Sequence, residues 1–142
     1  MPEILHRVGI NVPARRVFDA LTTIDGLRSW WVSNAEGNPA RGGVIDFRFC
    51  RMRVLESMPD RKVQWQCISG PPEWIDTEVT FDLQWKEEQT FVLFKHARWK
   101  EPVEFMSHCS TKWASFLFSL RDFLETGRGR PTPDDLKIHV GD

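Results

Sequence analysis

The chain has 142 residues, 41% of them apolar and 27% charged, which is the size and make-up of one domain that can bury a core without staples. Its 19 Lys and Arg against 20 Asp and Glu leave a net charge of −1, so nucleic acid and anionic membranes are not expected partners. No apolar run approaches the roughly 18 residues of a membrane span and no signal-like segment opens the chain, so a cytoplasmic location is expected.

Residues 3–11 alternate, with Ile4, His6, Val8 and Ile10 on one face, which predicts a strand. Pro13 then opens a helix carrying Val17, Ala20 and Leu21, because proline is tolerated where a helix's first amides are unpaired anyway. Thr22, Thr23 and Asp25-Gly26 break it, and a second short helix carries Leu27, Trp30 and Trp31. Residues 33–43, rich in Asn, Gly and Pro, read as a loop.

Alternation returns at 43–51, placing Ile45, Phe47 and Phe49 on one face, and continues through Met52 and Val54 to a turn at Pro59-Asp60. Residues 62–69 put Val63, Trp65 and Cys67 on one side. Residues 75–85 align Ile75, Thr77, Val79, Phe81, Leu83 and Trp85, and residues 89–97 form a further strand. Successive strands with one apolar face predict an antiparallel sheet with one wet side. From Pro102 to Glu125 an apolar stripe holds Met106, Cys109, Trp113, Phe116, Leu117, Leu120 and Leu124 at helical spacing, and Gly127 marks the stop. The polar, proline-containing tail 130–142 reads as loosely attached to a domain of residues 1–129.

Strand, two short helices, a run of strands and a long last helix make an α+β fold. About six strands form a curved antiparallel sheet wrapped around the C-terminal helix, the one element long enough to cover the apolar face.

This order resembles the helix-grip fold of the START-like (SRPBCC) superfamily. FDALTTIDGLRSWW (18–31) is similar to the first-helix signature, and KWASFLFSLRDFLETGRG (112–129) to the last-helix signature. Thr90, Val92, Phe94 and His96 resemble the strand that precedes it. The nearest subgroup is similar to the C-terminal domain of the activator of the heat-shock-protein-90 ATPase. Lys112 departs from the subgroup, where Gly usually precedes the helix Trp, and Phe118 adds an outward aromatic. No counterpart of the eukaryotic activator's N-terminal domain is present, so full chaperone activation is not expected. The resemblance implies a fold far more than a function, since carriers, aromatases, cyclases and chaperone co-factors share it.

Among polar residues, His96 shares the inward face with Thr90, Val92 and Phe94. It is read either as a hydrogen-bond donor or proton shuttle at a pocket mouth, or as a structural histidine tying down a strand end. His6 has the same choice, while His108, read as outward, and His139, in the tail, receive no role. Three cysteines without paired spacing support neither a disulfide framework nor a zinc site, so no metal or cofactor is expected. No nucleophile–base pair stands out: Cys67 and Cys109 both map inward as small buried residues, and a Cys109–His96 dyad is the remote candidate. Glu56 continues the Met52–Val54 parity and is the one carboxylate expected to point inward.

Seven Trp and ten Phe, with no Tyr, are the unusual feature. Trp31, Phe47, Trp65, Phe81, Phe94, Met106 and Trp113 all take inward parities. They either fill an ordinary core or, with His96 and Thr77 or Thr90 as orienting polar groups, line an apolar cavity of about 300–1,000 Å³. Trp99 is expected at its entrance. The leading functional expectation is a module holding a small hydrophobic or amphipathic molecule between sheet and helix. The alternatives are a protein-interaction domain using the outer surface, and a cyclase or dehydratase using His96.

Overall fold

The computed structural model describes residues 1–142. β1 (Ile4–Ile10) is followed by α1 (Ala14–Thr22) and α2 (Ile24–Trp30), then β2 (Glu36–Gly37), β3 (Val44–Asp46), β4 (Arg51–Met58) and β5 (Lys62–Ser69). A 3₁₀ turn at Pro72–Trp74 leads into β6 (Glu78–Lys86), β7 (Gln89–Ala97) and the long α3 (Glu104–Thr126). The strands form one antiparallel sheet in the order β1-β7-β6-β5-β4-β3-β2. The helix-grip architecture is therefore present, with seven strands rather than about six. The added one is the two-residue β2, inside the segment expected to be all loop.

β1 and β2 lie at opposite edges, so the chain between them must cross the sheet, and α1 and α2 make that crossing. The two helices meet closely at Gly26: a Cβ there would stand 2.7 Å from the Ala20 Cα. Thr23 caps α2 by accepting a hydrogen bond from the Gly26 amide at 3.0 Å, and the Trp30 indole donates to the Ala20 carbonyl at 2.9 Å. α3 ends at Gly127, whose φ of 88° belongs to the left-handed region that glycine adopts without a Cβ clash.

Three local departures from the expected strands have physical causes. The single strand expected over 43–51 is interrupted at residues 47–50. The Asp46 carboxylate accepts from the Arg48 amide at 2.7 Å, Arg48 takes a φ of 74°, and the Phe47 amide donates to the Cys50 carbonyl at 2.8 Å. The strand expected from residue 75 begins at Glu78, because Asp76, with φ 70°, turns the chain out of the 3₁₀ segment. Finally, the β4–β5 register shifts between Val54 and Glu56. This irregularity reverses the side-chain parity, so Glu56 pairs with Gln64 on the outer face instead of pointing inward.

The tail is not loosely attached. Thr132 and Val32 form a parallel bridge, with the Thr132 amide donating to the Trp31 carbonyl at 2.8 Å and the Ser33 amide donating to the Thr132 carbonyl at 3.2 Å. The Ser119 hydroxyl joins three segments: it donates to the Trp30 carbonyl at 2.8 Å and accepts from the Arg130 amide at 2.7 Å. Gly129 fits where a Cβ would meet the Ser29 carbonyl oxygen at 2.5 Å, so the chain passes closely between α2 and α3.

Candidate functional site

The inward aromatics pack ring against ring. Trp31 stands 4.2 Å from Phe47, 4.9 Å from Trp113 and 5.9 Å, nearly parallel, from Trp65, measured between centroids. Trp65, Phe81 and Phe94 continue the chain at 5.2 and 5.4 Å, and Phe94 returns to Trp113 at 4.6 Å. All six are at most 2% exposed. Met106 is half-buried at the β1 side of α3, beside Ile4 and Leu5.

An aromatic-walled cleft opens at the edge of this set. It has a volume of about 280 Å³ and lies between the end of α2, the β3–β4 turn, the 3₁₀ segment, α3 and the tail. Trp31, Phe49, Trp74, Trp113 and Phe116 supply its apolar wall, and Lys112, Asp135 and Asp142 its charged end. Of the eight residues expected to line a cavity, Trp31 and Trp113 reach this cleft. Phe47, Trp65, Phe81, Phe94 and His96 lie behind them.

His96 is fully buried at the centre of a closed hydrogen-bond chain. The Trp113 indole donates to its Nδ1 at 3.1 Å; its Nε2 donates to the Thr77 hydroxyl at 2.8 Å, and Thr77 donates to the Trp74 carbonyl. A carbonyl can only accept and an indole can only donate, so the direction of every bond and the neutral Nε2–H tautomer follow. Burial lowers the His96 pKa from 6.5 to about 3. With no free lone pair and no readily gained proton, this imidazole holds a strand, an indole and a turn together; the proton-shuttle reading does not fit this geometry. The polar groups expected to orient a ligand are committed too, since Thr90 donates to the Val12 carbonyl at 2.7 Å. His6 is likewise tied to α3, its Nε2 donating to the Ser110 carbonyl at 3.0 Å.

The Cys109–His96 pairing also fails. Both His96 nitrogens are occupied, and the Cys109 sulfur accepts from the Trp74 indole at 3.4 Å. Burial pushes the Cys109 thiol up to about 11, far from a thiolate at neutral pH. Trp99, expected at the entrance, is 1% exposed and lies 4.8 Å from the His96 ring, away from the cleft.

The cleft's polar end is built around Lys112. Its ammonium donates to Asp135, to Asp142 at 2.9 Å and to the Leu136 carbonyl at 3.0 Å, and Lys137 reaches the other Asp135 oxygen at 2.8 Å. Burial alone would raise the Asp135 pKa, but the hydrogen bonds from Lys112 and Lys137 and the Lys112 charge bring it down to about 2. Nothing in local periodicity pointed to these tail carboxylates or to Trp74 in the 3₁₀ segment; alternation put Phe49 on the inward face, and the turn at 47–50 brings it to the cleft instead. The sequence signal that was available is Lys112 itself, the residue that departs from the resembled pattern.

The family model described as Activator of Hsp90 ATPase homolog 1-like protein matches residues 11–125. The chain belongs to this family. Among solved structures, the Aha1 dimer from Colwellia psychrerythraea is similar at 43% identity and a TM-score of 0.84, over 91% of this chain and 100% of that one. CalU16 from Micromonospora echinospora shares the fold at 20% identity and a TM-score of 0.76, over 87% and 74% of the two chains. The protein SSP2350 from Staphylococcus saprophyticus does so at 17% identity and 0.76, over 92% and 97%. No curated relative matches the sequence. As a member of the Activator of Hsp90 ATPase homolog 1-like family, the chain is a ligand-binding or interaction domain. No helix is long and apolar enough to cross a membrane.

Proposed function

We propose that the protein binds a small amphipathic molecule in the cleft at the open end of the grip. The reading is carried by one observation: an apolar wall of Trp31, Phe49, Trp74, Trp113 and Phe116 meets a cluster of compensated charges within about 280 Å³. That volume lies just under the lower end of the roughly 300–1,000 Å³ of small-molecule sites, which favours a compact ring system over a long acyl chain. The apolar body stacks against the indoles, and the polar end meets the Lys112, Asp135 and Asp142 rim.

Phe49 is the residue that separates binding from folding, because it is 46% exposed yet stands 5.5 Å from Trp74 and 6.0 Å from Trp31. Titration with anilinonaphthalene sulfonate, a small apolar ring system with an anionic group, is expected to give saturable binding to the native protein. Phe49→Ala is expected to weaken it about tenfold, or about 1.4 kcal/mol, with an unchanged unfolding midpoint. Equal affinity in both proteins, or no saturable binding in either, would remove the cleft as the site.

A second reading, a protein-interaction domain, is supported by a different observation. Phe118 and Leu136 are 45% and 50% exposed and border one small depression between α3 and the tail. The 43%-identical Colwellia protein is described as a dimer, so a second copy of the chain is the partner to test first.

A further inference from the structure

We propose that His108, His139 and Asp142 form a binding site for a first-row transition-metal ion of the Zn²⁺ class, which fastens the tail to α3. The three residues bring one ligand atom each to within 4.8 Å of one another. His108 comes from the first half of α3, and the other two come from the tail. They are 31 and 34 residues further along, so no local sequence spacing announces the group.

Each ligand is held in a way that suits a cation. The His139 Nδ1 proton goes to the Val140 carbonyl at 2.8 Å, which fixes the tautomer and leaves the Nε2 lone pair for the ion. The His108 ring lies stacked on Phe105 at 5.6 Å and 8°, which orients it, and it stands 5.4 Å from the His139 ring. Asp142 gives one carboxylate oxygen, Oδ2, to Lys112 at 2.9 Å and to the Ile138 amide at 2.9 Å, and keeps Oδ1 for coordination. These outer bonds hold the side chains while the ion draws their ligand atoms to the closer spacing of a coordination sphere.

The donor set chooses the ion. Two imidazoles and one carboxylate suit Zn²⁺, Co²⁺, Ni²⁺ or Cu²⁺, whereas Mg²⁺ and Ca²⁺ demand more oxygen ligands than this group supplies. Three protein ligands leave at least one coordination position for water or another small donor. His108 and Asp142 also border the aromatic cleft, so that position adjoins it. The site stands independently of the amphipathic ligand and would exist if the cleft bound nothing.

Calorimetric titration of chelator-treated, full-length protein with Zn²⁺ alone tests it. One Zn²⁺ per chain is expected, with no heat from Mg²⁺ at the same concentration. His139→Ala and Asp142→Asn are each expected to weaken Zn²⁺ binding beyond the roughly 10–100-fold typical of losing an outer partner. His139 is exposed, so the metal-free His139→Ala protein should melt with the metal-free wild type. Co²⁺ loading supplies the second readout: visible ligand-field bands of a four- or five-coordinate ion are expected, without a thiolate charge-transfer band. Undiminished Zn²⁺ affinity in His139→Ala, absence of stoichiometric binding, or a thiolate band marking Cys109 as the ligand would each overturn the proposal.

Discussion

His96 illustrates how burial converts a reactive residue type into a fastener. In the folded protein it stays neutral down to about pH 3, while in the unfolded chain it takes up a proton near pH 6.5. Between those values the unfolded state binds more protons, so stability falls as pH falls, by about 1.4 kcal/mol for each pH step. Asp135 adds to this only at the acid end. Its folded pKa is depressed to about 2, so its contribution is present above the ordinary 3.8 and is lost as pH drops through that interval. Urea unfolding across a pH series should therefore show an acid limb that begins near 6.5. His96→Gln should flatten that limb and cost about 1–3 kcal/mol at neutral pH, because the Trp113 indole or Thr77 hydroxyl loses ideal pairing. A limb of unchanged slope in the variant would assign the protons elsewhere. The inward position of His96 was legible from parity alone; its inertness was not, since that depends on two partners 17 and 19 residues away.

At the scale of elements, regular periodicity carried the reading and contacts between elements escaped it. β1, β5, β7 and α3 were recoverable to within two residues at each end, because their apolar residues repeat at strand or helix spacing over seven or more positions. The β4 irregularity and the Asp46–Arg48 turn were not, because a single inserted or left-handed residue leaves no mark on composition. The tail escaped for a different reason. Its hold consists of backbone amides, one serine hydroxyl and one lysine, all reached across the fold rather than along the chain. Ser119→Ala tests that hold. The Arg130 amide loses its acceptor, so the tail should exchange amide hydrogens faster from residue 130 onward. The local cost, confined to the tail, should be about 1–3 kcal/mol, and the sheet amides should keep their protection. Uniform loss of protection across the sheet would mean that tail and core unfold as one unit.

For the molecule as a whole, the fold followed from element order, while the location of the cleft did not. Parity identifies which aromatics face inward, and six of them, Trp113 of α3 included, close on one another rather than enclosing a chamber. Space was left instead where the pattern lapses, at the β3–β4 turn, the 3₁₀ segment and the tail. Whole-molecule behaviour also decides the second functional reading. If the depression between α3 and the tail pairs two copies, light scattering at micromolar concentration should return twice the 16.6 kDa chain mass. Phe118→Ser should then shift the protein toward monomer. Its side chain is 45% exposed and lies under the Arg121 guanidinium at 4.6 Å, so folding should be little affected. A monomeric wild type, or a dimer indifferent to Phe118→Ser, would place any interaction surface elsewhere.

The packing of the indoles has an optical consequence. Trp31 lies nearly parallel to both Trp30 and Trp65, at 19° and 6°, and Trp74 lies at 12° to Trp113. The chain has no tyrosine, so its near-ultraviolet absorption belongs almost wholly to its seven tryptophans, five of which are these rings. Close, stacked chromophores share excitation, which should appear as paired bands of opposite sign in the near-ultraviolet circular dichroism of the native state. Three of the participating rings border the cleft, so a molecule or ion arriving there alters the emission of the connected set and not of one residue alone. The protein thus carries its own reporter, readable without any attached dye.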